Sequence, residues 1–273
     1  RIGGPADYFL QPSDTEQIKK ILDICRENKL PFFVLGNGSN LLVSDTGFSG
    51  VIIQLFHNFE RIIVEDTLIR AQAGALLSGI AVAARDHSLT GFEFAGGIPG
   101  TLGGAVVMNA GAYGGEMAKI IVSATTCDAK GDIIVHSIKD MGYGYRHSPF
   151  MQNGEVILDI TLSLKPGNQK DIEALMKDLN QRRATKQPLE KRSAVSTFKR
   201  PDGHFVGQML EELGLKGFSV GDAQVSEKHA GFLINNGRAS CEDMLSLIHQ
   251  VQQKVKEAYG VDLHTEVQIV GEE

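Results

Sequence analysis

The hydrophobic pattern of the chain changes period twice. In residues 1–55 it is α/β: Asp14 with Gln17 three positions on resembles a capping box, and Ile18, Ile21, Leu22 and Cys25 fall on one helical stripe. PFFVL (31–35) and GVIIQL (50–55) read as strands, with LLVSD (41–45) between them as another extended segment ending in a turn at Gly47. From about 60 to 165 the pattern becomes short β runs broken by glycines: RIIVED, LIRAQAGA, AVVMNAG, IIVSATTCDA, DIIVHS and EVILDITLSL. One helical stretch, 77–88, interrupts them, so this part predicts an antiparallel or mixed sheet, not alternating βαβ units.

A second change falls near KPGNQK (165–170). Ile172, Leu175, Met176 and Leu179 are spaced for one helix face that ends before Pro188, and a second helix through Val206, Met209, Leu210 and Leu213 stops at Gly214. AGFLINN (230–236) is strand-like. A last helix, capped by Ser240, carries Met244, Leu247, Ile248, Val251 and Val255 on one face, and VDLHTEVQIVG (261–271) closes as a strand. The expected division is 1–55, which the C-terminal strand 266–273 could rejoin, then 56–166 and 167–265.

Composition narrows the class. The 273 residues are 42% hydrophobic and 22% charged, as in a soluble globular protein, and no segment has the length and apolarity of a membrane span. The opening RIGGPADYF has no signal-peptide character and reads as the middle of a structured region, which suggests a trimmed or disordered N-terminus. A net charge of -6 without a basic run disfavours nucleic acid as the partner. Cys25, Cys127 and Cys241 are far apart with no CxxC spacing and read as reduced packing residues of a cytoplasmic protein. No histidine pair has metal-ligand spacing, so no metal is expected.

Two glycine segments stand out. GNGSN (36–40) follows an apolar run as a phosphate loop would, but an extended segment succeeds it where a Rossmann fingerprint requires a helix. Residues 96–115 contain eight glycines together with Ile98, Val106, Val107 and Met108, which no flexible linker would. No Gly-Lys-Ser/Thr follows either loop, so a Walker A site is excluded. Two readings remain open: a pair of backbone anion nests around one diphosphate, or tight turns packed into a glycine-rich sheet.

GNGSNLLVSD, GIPGTLGGAVVMNAGAYGGE, YRHS, SAVSTFKRP, VSEKHAGFLIN and TEVQIVG occur in this order. As an ordered set covering nearly the whole chain, they resemble the UDP-N-acetylenolpyruvoylglucosamine reductases. The two glycine loops alone are shared with the wider vanillyl-alcohol-oxidase type of FAD fold. The resemblance implies an α+β protein with a two-subdomain FAD-binding fold and a C-terminal α+β substrate-binding domain. The spacing of about fifty residues between Arg146 and Ser196 is similar to the family's shorter subclass, which lacks an inserted substrate-covering loop.

The implied reaction uses non-covalent FAD and NADPH to reduce UDP-N-acetylglucosamine enolpyruvate to UDP-N-acetylmuramate, a peptidoglycan precursor. Hydride passes from the flavin N5 to the enolpyruvyl β-carbon and a proton reaches the α-carbon. By matching motif positions, Ser196 is the proton donor, while Arg146 and Glu266 stabilise the enolate, Glu266 as a donor if burial raises its pKa. Implied cofactor contacts are Gly36, Asn37, Gly38, Ser39, Asn40 and Leu41; Gly96, Ile98, Pro99, Gly100, Thr101, Gly103 and Gly104; and Asn109, Ala110 and Gly111. Tyr145, Lys186, Arg200 and His229 are implied substrate contacts, although His229 also reads as a satisfied structural histidine. Gln268 and Val107 depart from the basic and aromatic residues usual at those places, which bears on fine substrate contacts. The alternatives are another flavin oxidase or dehydrogenase of the same superfamily, and a flavin- or nucleotide-sugar-binding module without catalysis. A monomer or weak dimer fits either.

Overall fold

Five strands from the middle of the chain form one antiparallel sheet in the computed structural model, which describes residues 2–271. Their order is Ile133–Ser137, Ile121–Cys127, Val156–Ser163, Leu68–Gln72 and Ile62–Glu65. Alternation sets the register: Ile69 and Ala71 turn inward while Leu68 and Arg70 face water, and Ala71 pairs with both Ile160 and Ile62. The expected glycine-broken β region is therefore an antiparallel sheet.

The chain divides into two units. The larger comprises residues 8–38 and 50–182. Its helix α1 (Thr15–Glu27) buries Ile18, Leu22 and Cys25 in a cluster with Val51 and Ile53. Asp14 Oδ1 accepts the Gln17 N–H at 2.8 Å, but the Gln17 side chain takes the N–H of Ser13, one residue earlier than a capping box requires. Phe32–Leu35 lies parallel to 51–54, which makes the opening segment α/β as its pattern predicts. Helix α2 (Leu77–Asp86) buries Leu77, Ile80, Ala81 and Ala84.

One element differs in kind from expectation. AVVMNAG, read as a β run, contributes instead to helix α3 (Leu102–Val107). Its buried positions Leu102, Ala105 and Val106 follow helical spacing, and Thr101 caps its start, so burial and capping override the β preference of two adjacent valines. Helix α4 (Gln169–Lys186) buries Ile172 and Leu179, but Leu175 is exposed; its apolar stripe is narrower than the spacing predicts.

The smaller unit comprises described residues 2–7, 39–49 and 183–271. Helix α5 (Val206–Glu212) buries Val206, Met209 and Leu210, and Gly214 follows at φ +68°, a left-handed stop. Helix α6 (Cys241–Tyr259) begins in a full capping box between Ser240 and Asp243 and buries Met244, Leu247, Ile248, Val251 and Val255, each worth roughly 1.5–3 kcal/mol on full burial. All three cysteines are buried, and none forms a disulfide among the described residues.

The terminal segment 261–271 is a strand only over Gln268–Val270, which pairs in parallel with Leu41–Val43 (Ile269 opposite Leu42). Just beyond the second of these strands, Asp45 accepts the N–H groups of Cys241 at 2.8 Å and Glu242 at 3.1 Å. One carboxylate thus satisfies two of the four orphan donors at the start of α6 and complements its dipole. Asp45→Ala is expected to destabilise the protein by about 1 kcal/mol. Urea unfolding followed by circular dichroism would read this as a lower midpoint with an unchanged slope.

Candidate active site

The short glycine loop has the donors of an anion site. Gly38 is left-handed at φ +70°, and among the described residues the N–H groups of Gly36, Asn37 and Gly38 donate to no protein acceptor. The same holds for Ser39 and Asn40. Three successive unused amides ending in a left-handed glycine form a backbone nest suited to phosphate oxygens. The two glycine segments also meet: Asn37 Nδ2 donates to Pro99 O at 3.0 Å, and any side chain at Gly36 would collide with the Thr101 hydroxyl. Gly36 is glycine because the second loop lies against it. These features fit an FAD diphosphate at the first loop.

The long segment is occupied differently. Gly100 N–H goes to Ile98 O, Leu102 N–H to Ala75 O and Gly103 N–H to Ala73 O, while Gly104 N–H faces the capping Thr101 hydroxyl at 3.5 Å. A Cβ at Gly103 would meet that of Ala73 at 2.9 Å, and one at Gly111 would meet Gly115 O at 2.6 Å. Close packing thus accounts for Gly103 and Gly111, whereas the amides of the short loop are left for water or a ligand. Gly96 donates to Glu93 O, Ile98 packs on the core, and Ala110 donates to Ala105 O.

Arg146, in the larger unit, sits at the tip of a tight turn. Gly144 and His147 exchange backbone hydrogen bonds at 3.1 and 3.2 Å, and Arg146 takes the third turn position at φ +51°. Glycine usually fills that position. The guanidinium donates to Gly111 O at 3.0 Å and Asn109 O at 3.5 Å and lies 5.2 Å from the ring centre of Tyr145. Tyr145 itself is exposed. Two residues earlier, the buried hydroxyl of Tyr143 has no hydrogen-bond partner among the described residues, and burial pushes this phenol's pKa up.

Ser196 and Glu266, both in the smaller unit, lie on hydrogen-bonded neighbouring segments. Phe198 pairs with Thr265, Lys199 N–H donates to His264 O, and Glu266 N–H donates to Thr197 O at 2.8 Å. Thr197 is buried, and its hydroxyl accepts Leu233 N–H at 3.2 Å. Ser196 Oγ donates to Phe198 O at 3.4 Å, a long bond readily exchanged for a ligand. Val195, just before it, adopts φ +63°, an outlier for a β-branched residue. Asn40 grips the other segment: its Nδ2 donates to Glu266 O at 3.0 Å and its carbonyl accepts Gln268 N–H at 3.0 Å. The side chain of this expected cofactor contact is thus used to place Glu266, and Leu41 begins the strand paired with Gln268.

His229 is packed among the backbones of Gly207 and Gly231 and stands edge-on to Phe232 at 5.0 Å. Its Nδ1 accepts Gly231 N–H at 3.1 Å, which leaves Nε2 to carry the proton of the neutral ring. Burial lowers its pKa, and the positive charges of Lys216 and Lys186 lower it further. Lys186 therefore acts on His229 electrostatically. Arg200 is exposed and stacked 3.9 Å from the ring centre of Phe205, with Nε donating to His204 O. Thr197 and the side-chain roles of Asn40 and Asn109 were not foreseeable: each depends on a partner segment distant in sequence.

A family model described as the FAD binding domain matches residues 6–137, and one described as the UDP-N-acetylenolpyruvoylglucosamine reductase C-terminal domain matches 187–270. The UDP-N-acetylenolpyruvoylglucosamine reductase of Clostridium novyi is 50% identical over 273 residues, covering 100% of this chain and 89% of its own length. That of Caldanaerobacter subterraneus is 49% identical over 272 residues, covering 100% and 90%. The crystal structure of the Thermus caldophilus enzyme superposes with a TM-score of 0.84 at 34% identity, covering 98% of this chain and 94% of that one. With both family models and relatives about 50% identical over its whole length, the chain belongs to the UDP-N-acetylenolpyruvoylglucosamine reductase family.

Proposed function

We propose that this protein is an NADPH-dependent flavoenzyme that reduces UDP-N-acetylglucosamine enolpyruvate to UDP-N-acetylmuramate. The observation carrying the reading is the hydrogen-bonded adjacency of the Ser196 and Glu266 segments, alongside the unused amides of the Gly36 loop. FAD, when bound, supplies the hydride that saturates the enolpyruvyl double bond at its β-carbon.

The chain's residues manage the charge and the proton. Addition at the β-carbon leaves negative charge on the α-carbon, spread into the adjacent carboxylate. The planar fork of Arg146 suits that carboxylate, and its fixed left-handed turn spares the reorganisation a flexible side chain would need. Ser196 Oγ releases Phe198 O, gives its proton to the α-carbon and regains one from water. A serine hydroxyl is a weak acid, so the strong basicity of the carbanion and close positioning must drive this transfer. Glu266 hydrogen-bonds the substrate carboxyl. His229 offers a neutral Nε2–H to the sugar nucleotide, with Lys186, Arg200 and Tyr145 supplying further charge and stacking surface. The proposed setting is the cytoplasm, as the family resemblance implies.

An anaerobic visible spectrum tests the whole reading. Flavin absorbance should bleach with one equivalent of NADPH and return on adding the enolpyruvyl sugar nucleotide, whereas bleaching without return would indicate a different flavin oxidoreductase. Ser196→Ala should leave the bleaching step near wild type and slow the return by roughly 10²–10⁴-fold in stopped flow. Equal slowing of both steps would remove Ser196 as donor. Arg146→Lys should also slow the return, because a point charge does not reproduce the fork.

His229 sets a pH dependence. Its folded pKa lies below the ordinary 6.5 because burial disfavours the cation. The unfolded chain therefore binds more protons, so the stability from neutral His229 is complete above that ordinary value and is lost as pH falls through the lowered one. Urea midpoints should decline less steeply from about pH 7 to about pH 5 in His229→Gln than in the wild type. Identical slopes would contradict this.

A further inference from the structure

Asn109 lies in the NAG turn, one of the expected cofactor contacts. Asn109 is 3% exposed, and both ends of its side-chain amide are hydrogen-bonded within the protein. Nδ2 donates to Gly144 O at 2.9 Å, and Oδ1 accepts Ala118 N–H at 2.9 Å. The Gly144 carbonyl is also the acceptor that closes the Arg146 turn through His147 N–H at 3.2 Å. From the other direction, the main-chain carbonyls of Asn109 and Gly111 receive the Arg146 guanidinium. The NAG turn therefore holds Arg146 at both ends, the amide fixing its backbone and the carbonyls its side chain.

Both held residues are conformationally costly. Arg146 at φ +51° and Asn109 at φ +43° are left-handed, a region that costs a residue with a Cβ roughly 1–2 kcal/mol, least for Asn. Such a conformation persists only where neighbours over-determine it. An amide is the side-chain group that gives one donor and one acceptor from a short stem, and Asn tolerates the left-handed region.

We propose that Asn109 is a positioning residue for Arg146: by clamping the Gly144–His147 turn it holds the guanidinium where negative charge develops in the substrate. This rests on the role assigned to Arg146 above. The clamp tolerates little error, since a displacement of about 1 Å in a catalytic group can cost about 10²-fold.

The test uses Asn109→Asp, which keeps the shape and the acceptor for Ala118 N–H but turns an oxygen towards Gly144 O. In the flavin-loaded enzyme, the return with the enolpyruvyl sugar nucleotide should slow roughly 10- to 100-fold more than NADPH bleaching does. The same change should cost almost nothing further in an Arg146→Ala background, because the group it positions is already gone. Losses that multiply, or an unchanged return rate, would overturn the proposal. Asn109→Ser provides an uncharged second variant. Loss of flavin content or a collapsed thermal midpoint in both would make Asn109 a structural residue and likewise overturn it. If Arg146→Ala itself returned at the wild-type rate, the assignment of Arg146 would fail instead, and the two failures are read from separate variants.

Discussion

The smaller unit depends on a parallel ladder of only three residue pairs, Leu41–Val43 against Gln268–Val270. Parallel pairing joins segments remote in sequence and is slightly less stable per residue than antiparallel pairing, so a ladder this short needs support at its ends. It has it. At one end Asn40 bonds the Glu266 carbonyl and the Gln268 amide; at the other Asp45 caps α6. The residues that follow the phosphate loop in sequence are thus those that fix where Glu266 stands. Glu266 in turn bonds Thr197, one residue from Ser196. Asn40 and the segments of two catalytic candidates are linked through three hydrogen bonds, so a disturbance at Asn40 would reach residues it does not touch.

The glycines divide by what their amides do. In the short loop the N–H groups lack protein acceptors among the described residues, a state too costly for a finished interior and reasonable where water or a ligand arrives. In the longer segment the amides are largely bonded and several glycines are needed for backbone to pass within van der Waals distance of Ala73, Phe94 or Gly115. Composition cannot separate the two uses, because a glycine that admits a phosphate and one that admits a neighbouring strand are the same letter. The packed-turn reading describes the longer segment, and the nest reading is left to the short loop alone.

Legibility followed the range of the interaction. The stripes of α1 and α6 could be read because period, cap and burial agree within a few residues, as with Ser240 and Asp243. The antiparallel sheet was visible in its alternation. Helix α3 was not: Val106 and Val107 favour a strand locally, while the cap at Thr101 and the packing of Leu102 and Ala105 decide otherwise. The Asn40 bond to Glu266 spans 226 positions, and nothing near Asn40 announces its partner. For the candidate site, ordered motifs named the residues, but not which side chains are spent on holding others.

Left-handed backbone at Arg146 and Val195 is the least legible feature and the most informative. At Arg146 the conformation has an evident use, since glycine would fit the turn better but has no guanidinium. Val195 carries no reactive group, so its strain must be imposed from outside. Thr197 supplies the means: its N–H goes to Gly231 O, its carbonyl receives Glu266 N–H and its hydroxyl receives Leu233 N–H. Three bonds to two other segments fix the chain two residues beyond Val195, and the constraint is transmitted back through Ser196. The serine is therefore held between a strained residue and a pinned one, with its hydroxyl on a single long bond. If Ser196 is the proton donor proposed above, so weak an acid gains most from having its direction set before substrate arrives.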